Sequence, residues 1–422
     1  MASTPWYTSS TLVDAVKRKI MFPTSQSTLT DDEILNFANE EMQVSQVPDI
    51  LQYHEEYLVS YEITPMVSNQ SRYPIPNRAI GMRLRDIFWM DAQGNLFEMT
   101  RISPGDKALF QRTLGTNQAV TKFYVEGNDI VLAPGVTNTP TGYLVFYFFL
   151  RPNQLVDETR SATITGFQQK ITVDNTTLVS GDVVSFSNSG NTFEAGVTFA
   201  IGGTSVITAT NLVAAINTAN LGATASNVSG TSAVVTLTFT DIRVGVTQNV
   251  SVPLLFEQAT SNITTTNTAA FAIPTYLIVT FSSVDTSIFS TNGIIDMLET
   301  GGGHRTKNYD VTTLASSATD LHFAITDIPL NLSVGDYISP QRECIIPQIP
   351  SDLHVALVER VCARILSAIG DKEGLTSVNE KLQEINLRTG SLVDDRVDGA
   401  PLKVTNRYSL LRIGATGPRR RV

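Results

Sequence analysis

Thr30-Asp31-Asp32-Glu33-Ile34-Leu35-Asn36-Phe37-Ala38-Asn39-Glu40-Glu41 is the stretch that decides how this chain is organised. Its Thr30 hydroxyl is placed to accept from the Glu33 backbone, and the Glu33 carboxylate can reach back, which is a capping box. Ile34, Leu35, Ala38 and Met42 then share one helical face. Upstream, Leu12, Val13, Val16 and Ile20 recur at the same spacing, with Ser9 or Ser10 as the expected cap. Downstream, Pro48 is expected to open a third helix carrying Ile50, Leu51, Tyr57 and Leu58.

The far end of the chain repeats the pattern. Ser351, after Pro350, is the expected cap of a helix whose Val355, Val358, Cys362, Ile365 and Ile369 step by three and four until Gly370. Leu357, Val361 and Leu366 add a second apolar face, so this helix is predicted to be buried on most sides. Leu375, Val378, Leu382 and Ile385 mark another helix, with Gly390 beyond it. The terminal helices bury their apolar faces most simply against each other.

Between the two ends the pattern changes to short β-branched and aromatic runs separated by turn residues. Ile87-Phe88-Trp89-Met90, Lys122-Phe123-Tyr124-Val125, Ile130-Val131-Leu132 and Tyr143–Leu150 read as strands of an antiparallel sheet. From 161 to 273 charge nearly vanishes, leaving only Lys170, Arg243, Asp174, Asp182, Glu194, Asp241 and Glu257. Apolar residues persist there, which favours a folded β-rich module over disorder. Alternation over 191–201 and 232–240 predicts strands, and Leu212, Val213 and Ile216 predict one short helix. The module is expected to enter at Arg160-Ser161 and leave at Asn267-Thr268, in exposed polar segments. Strands resume over 275–281, at Phe323-Ala324-Ile325-Thr326 and at Val334-Gly335-Asp336-Tyr337.

The expected fold class is therefore α+β: a discontinuous helical domain built from both chain ends, an antiparallel β-rich domain and an inserted β-rich module. Its divisions are helical 1–60, antiparallel β 61–160, inserted module 161–273, a second part of the β domain 274–349, helical 350–398 and an extended basic arm 399–422. Residues 401–422 carry Lys403, Arg407, Arg412, Arg419, Arg420 and Arg421 without an acid, and have no periodic apolar pattern.

A chain of 422 residues with 42% apolar residues predicts more than one core. Its net charge of -10 argues against broad wrapping of nucleic acid. Cys344 and Cys362 form no CxxC pair, which points to a reducing compartment. Residues 1–10 have neither a basic start nor an apolar core, so a secretory signal is not expected. The apolar run Tyr143–Leu150 is far shorter than the roughly 20 residues of a spanning helix, and no membrane role is expected.

Chemistry is sparse. Gly301-Gly302-Gly303-His304 lacks the spacing of a phosphate loop and reads as a hairpin tip. His54, His304, His322 and His354 are scattered, and none belongs to a metal or nucleophile motif. Asp31-Asp32 sits in a helix's first turn, where negative charge is favourable, and Asp394-Asp395 reads as solvated loop charge. No catalytic group, metal site or cofactor is expected. Arg419-Arg420-Arg421 admits three readings: a phosphate-binding tail, an anchor for an acidic groove on a partner, or a solubilising tag.

Several segments resemble a known family. The stretch from Thr30 to Glu41, followed by Glu55-Glu56-Tyr57-Leu58-Val59, is similar to the opening of tailed-bacteriophage head-to-tail connector (adaptor, or head completion) proteins. Arg151-Pro152-Asn153-Gln154-Leu155-Val156, Val334-Gly335-Asp336-Tyr337, Ile346-Pro347-Gln348-Ile349-Pro350, Leu353-His354, the run from Ile369 to Leu375 and the run from Asn406 to Arg412 look like that family in the same order. The likeness covers residues 10–160 and 275–412 and says nothing about 161–273.

The resemblance implies a non-enzymatic virion structural protein, assembled in the bacterial host cytoplasm and placed at the portal–tail junction. It would be a homo-oligomeric ring, twelvefold by analogy, joining the portal protein to a tail (nozzle or tail-tube) protein, with passing contact to DNA in the channel. Its carboxy-terminal arm would dock on the portal or a neighbouring subunit through Arg407, Tyr408, Leu410, Leu411, Arg412, Ile413, Arg419, Arg420 and Arg421. The Ser/Thr/Asn-rich β content leaves a second reading open, a receptor-binding, tail-fibre-like adhesin.

Overall fold

The structure is a computed structural model, which describes residues 7–20, 29–53, 55–91, 93–106, 122–133, 142–227, 232–249, 259–282, 288–300 and 306–392. Helices and strands are both abundant, so the chain is of mixed α+β class.

Helix α1 (Ser9–Lys19) is capped by Thr8, whose hydroxyl accepts from Thr11 N–H while the Thr11 hydroxyl accepts from Thr8 N–H. The expected caps, Ser9 and Ser10, are instead the helix's first residues, and Ser9 N–H donates to Ile345 O at 2.7 Å. Helix α2 (Asp31–Glu41) starts at the capping box read from the sequence, with both Thr30–Glu33 hydrogen bonds formed. The expected third helix is present but starts one residue before Pro48, and Tyr57 and Leu58 lie beyond it in a 3-10 turn, Glu55–Leu58. The chain runs from α2 through a π-turn, Met42–Gln46, into α3 (Val47–Tyr53), and Val47 N–H donates to Met42 O. A proline has no N–H for the carbonyl four residues back, and the wider turn absorbs that mismatch.

At the other end, Ser351 begins a 3-10 turn (Ser351–Leu353) and makes no side-chain cap to the helix that follows. Gly370, at φ +84°, ends that helix in the left-handed conformation that glycine adopts without steric cost. The next helix spans Lys372–Leu392, so it continues through Gly390. Leu12, Val13 and Val16, then Ile34, Leu35 and Ala38, share one apolar cluster with Leu357, Val358, Val361, Cys362 and Ile365. Leu155, Leu298, Cys344 and Ile349 close it from the β side.

Strands β1 (Val59–Pro65), β2 (Arg72–Pro74), β3 (Ala79–Met90), β4 (Leu96–Glu98), β5 (Thr100–Arg101), β6 (Lys122–Glu126), β7 (Asp129–Ala133) and β8 (Tyr143–Leu150) form two four-stranded sheets. Their orders are β1-β8-β3-β4 and β2-β7-β6-β5. Leu144, Phe146, Phe148 and Leu150 alternate along β8 to face the core between them, with Tyr73, Ile87, Ile130 and Leu132.

After a short β9 (Gln154–Leu155), β10 (Ala162–Val173) is the hub of a third, larger sheet. It pairs antiparallel with Val234–Phe239, Tyr276–Phe281 and Tyr337–Pro340. Of the strands expected as a second part of the 61–160 sheet, Tyr276–Phe281 and Tyr337–Pro340 pair with β10 and Asp320–Ala324 pairs with Tyr276–Phe281, and one apolar cluster runs from Ala162 to Ile338 across the expected division at residue 273. The expected entry point is only half exposed: Arg160 is exposed, but Ser161 is buried and its hydroxyl donates to Ile338 O at 3.0 Å. A twelve-residue strand has room for partners on both edges along its length, which joins the two regions into one sheet.

Inside this region α4 (Ser205–Ala219) lies where the sequence placed a helix, capped by Thr204. The alternation over 191–201 yields a strand only at Asn191–Glu194, after which Thr198 and Phe199 turn back on Glu194. Val334-Gly335-Asp336 forms the turn before strand Tyr337–Pro340, with Gly335 at φ +97°. The two carboxy-terminal helices are α5 (His354–Ile369) and α6 (Lys372–Leu392).

Candidate functional site

The densest polar arrangement among the described residues lies where the three regions meet. Ile294-Ile295-Asp296-Met297-Leu298 is one strand, and Asp296 is its single charge, with no exposed surface. Both carboxylate oxygens face donors. Arg78 Nη2 donates to them at 2.8 and 3.0 Å, Asn153 Nδ2 at 2.7 Å, Asp310 N–H at 3.0 Å and Arg342 N–H at 2.9 Å. Burial pushes the Asp296 carboxyl above the usual carboxylate range, and Arg78 and the other three donors pull it back. With donors alone around it, the ionised form fits the site.

Arg78 is buried as well. Its Nε donates to Asp310 at 2.6 Å, its Nη1 to Asn153 Oδ1 at 2.8 Å and its Nη2 also to Asp310 at 2.7 Å. Burial works against its charge, yet Asp310 and Asp296 hold it above its ordinary value. The guanidinium also lies 4.5 Å from the Tyr309 ring centre. Asn153 N–H donates to Gln348 Oε1 at 2.6 Å. Asp310 and Arg342 both hold left-handed backbone, φ +55° and +64°, a conformation uncommon outside glycine that turns their N–H groups onto one carboxylate.

Beside this network lies a cavity of about 320 Å³, whose wall includes Arg78, Arg151, Arg342, Gln43, Asn77 and Glu343. The Arg160 guanidinium holds Glu343 by two bonds of 2.6 and 2.7 Å. On the helical side, Asn39 of α2 and Leu155 of β9 exchange two bonds, Nδ2 to carbonyl at 2.9 Å and N–H to Oδ1 at 2.6 Å. A larger hollow of about 590 Å³, lined by residues such as Thr264, Phe271, Ile273 and Ile325, has no ionisable side chain in its wall.

The residues read from sequence as an interface, Arg407, Tyr408, Leu410, Leu411, Arg412, Ile413, Arg419, Arg420 and Arg421, lie outside the described residues. So do residues 301–304, His54 and Asp394-Asp395. The strands on either side of 301–304 pair antiparallel. Asp31 pairs with Lys17 at the start of α2, and His322 stacks on Tyr276 at 4.8 Å. His354 is buried, its Nε2 within 3.2 Å of Pro347 O and 3.3 Å of Ile349 O. Cys344 and Cys362 are free and buried, and burial pushes both thiols up, Cys362 to about 12.

Asp296 had a visible signal, a lone acid inside an apolar run, which the expectations above do not use. Arg78, Asp310 and Arg342 carry no such mark, because what makes them a site is their convergence on Asp296. No group of His, Cys, Asp and Glu among the described residues could hold a metal ion, and no helix among them is long and apolar enough to cross a membrane. No family model matches the chain, and no curated protein matches it either.

Proposed function

We propose that this chain is a structural protein of the phage virion, an adaptor ring that joins the portal to the tail. The observation that carries the reading is the succession of connector-like segments, from Thr30–Glu41 through Arg151–Val156 to Asn406–Arg412 as quoted above, in one order at both ends of the chain. The shared apolar cluster of α1, α2 and α5 supports it, because a helical domain made from both chain ends is what such a ring wall needs. In this reading the finer architecture is that discontinuous helical domain, with the antiparallel β-rich region and the low-charge β-rich insertion projecting from it.

The ring is homo-dodecameric, one heterologous interface repeated around a closed axis. Portal protein and a tail (nozzle or tail-tube) protein are its partners, and DNA passes through the channel with weak contacts, as a net charge of -10 favours. Residues 401–422 dock on the portal or a neighbouring subunit, their arginines pairing with acids and Leu410, Leu411 and Ile413 anchoring the contact. The chain has no catalytic role.

Electron microscopy of the purified protein, alone and mixed with portal complexes, tests this. Closed rings and added density beneath the portal are expected, and removal of residues 401–422 should leave folded protein that no longer attaches. Monomers or trimers that ignore portals would overturn the reading in favour of a receptor-binding adhesin.

A further inference from the structure

We infer that the cavity beside Asp296 is a binding site for an oxyanion, a carboxylate or phosphate group, held by Arg78, Arg151 and Arg342. The inference stands on the geometry of the cavity and not on the connector reading.

The wall is built from donors. A guanidinium has five N–H groups. Arg78 directs one to Asn153, one to Asp296 and two to Asp310, which leaves one Nη1 hydrogen without an acceptor among the described residues. Arg78 lines the cavity and is nearly buried, so its guanidinium is a fixed part of the wall. Arg151 and Arg342 stand on the rim, both exposed, and among the described residues neither side chain is engaged in an ion pair. The one acidic residue in the wall, Glu343, is already held in a bidentate pair by Arg160. Neither Asp296 nor Asp310 lines the wall, although the Asp310 charge acts on Arg342 and its carboxylate accepts from Gln341 of the wall at 2.6 Å.

The rim is also preorganised. Arg342 sits in left-handed backbone because its N–H is tied to Asp296, and Arg151 N–H donates to Arg78 O at 2.8 Å. The Arg78 guanidinium is thus fixed before any ligand arrives, and the backbones that carry Arg151 and Arg342 are anchored beside it, which lowers part of the ordering cost of binding. Arginine forks match the paired oxygens of carboxylate and phosphate, and the remaining wall, Gln43 and Asn77, adds amide donors. The volume of about 320 Å³ suits a small anion or one acidic side chain of another polypeptide.

The test is calorimetric titration of the full chain at fixed ionic strength, with inorganic phosphate in one arm and a capped Glu-Glu dipeptide in the other. Sodium chloride is the reference. Saturable binding above the chloride reference is expected in at least one arm, weakened about tenfold by Arg151→Ala or by Arg342→Gly. Glycine at 342 keeps the left-handed backbone and its N–H to Asp296, so the fold is retained. Arg243→Ala, on an exposed arginine elsewhere, should change nothing. Binding of phosphate identifies a free anion as ligand, and binding of the dipeptide alone identifies a protein-borne carboxylate. No saturation in either arm, or saturation untouched by both rim variants, would overturn the inference.

Discussion

Asp296 and Arg78 lie 218 positions apart in the chain, and their side chains meet at 2.8 Å inside the protein. Asp296 also ties down Asn153, Asp310 and Arg342, so a single carboxylate joins the start of β3, the exit of β8 and the third sheet. Breaking a buried pair from one side costs far more than the pair contributes, because an uncompensated charge is left inside. Asp296→Asn should therefore destabilise the protein by about 3 kcal/mol, with Asp310 still opposing Arg78. Denaturant unfolding measures this, and a loss below about 1 kcal/mol would mean the network adds little to the fold.

The helical cluster makes a separate prediction. Leu357 of α5 has no exposed surface, whereas Leu387 of α6 is 88% exposed. Leu357→Ala should cost about 3 kcal/mol through lost burial and a cavity, and Leu387→Ala less than about 0.5 kcal/mol. Equal costs in monomeric protein would contradict the packing described for α5 and α6.

Thr8 caps α1 through Thr11, although Ser9 and Ser10 follow it directly. Thr8→Ala should lower stability by about 1 kcal/mol, while Ser10→Ala should cost less, since Ser10 Oγ caps no backbone N–H and reaches the exposed Glu158 carboxylate at 2.5 Å and the Thr8 hydroxyl at 3.2 Å. Thermal unfolding of the two variants side by side decides between Thr8 and the serines as the cap.

His354 predicts a pH dependence. Burial lowers its pKa, against the opposing pull of the Pro347 and Ile349 carbonyls, so the folded chain holds the ring neutral where an unfolded one would take up a proton. The unfolded value is about 6.5. Above that pH neither state is protonated and the group has no effect; as pH falls below it, the unfolded state binds more protons and stability declines until the lower, folded pKa is passed. His354→Gln, which keeps a donor for those carbonyls, should flatten this part of the stability profile as pH falls below about 6.5. Identical profiles for both proteins would show that His354 does not titrate in this way.

Much of the local structure was legible because it rests on neighbours in sequence. The Thr30–Glu33 box, the helix over 205–219, the Gly370 stop and the strand Tyr143–Leu150 each depend on residues a few positions apart. The misreadings were local competitions whose outcome lies outside that range. Ser9 lost the cap to Thr8 while its N–H went to Ile345, and the helix holding Pro48 follows α2 directly through a π-turn.

The sequence by itself determined the α+β class, the positions of the main helices and strands, and the unusual want of charge between 161 and 273. Periodicity and capping are short-range, and they act before distant segments meet. Only the tertiary structure decided that β10 pairs on both sides of residue 273, and that Arg78, Asn153, Asp310 and Arg342 converge on Asp296. Strand pairing and the neutralisation of a buried charge are choices among partners tens to hundreds of residues apart, and hydrophobic alternation is blind to which partner is taken.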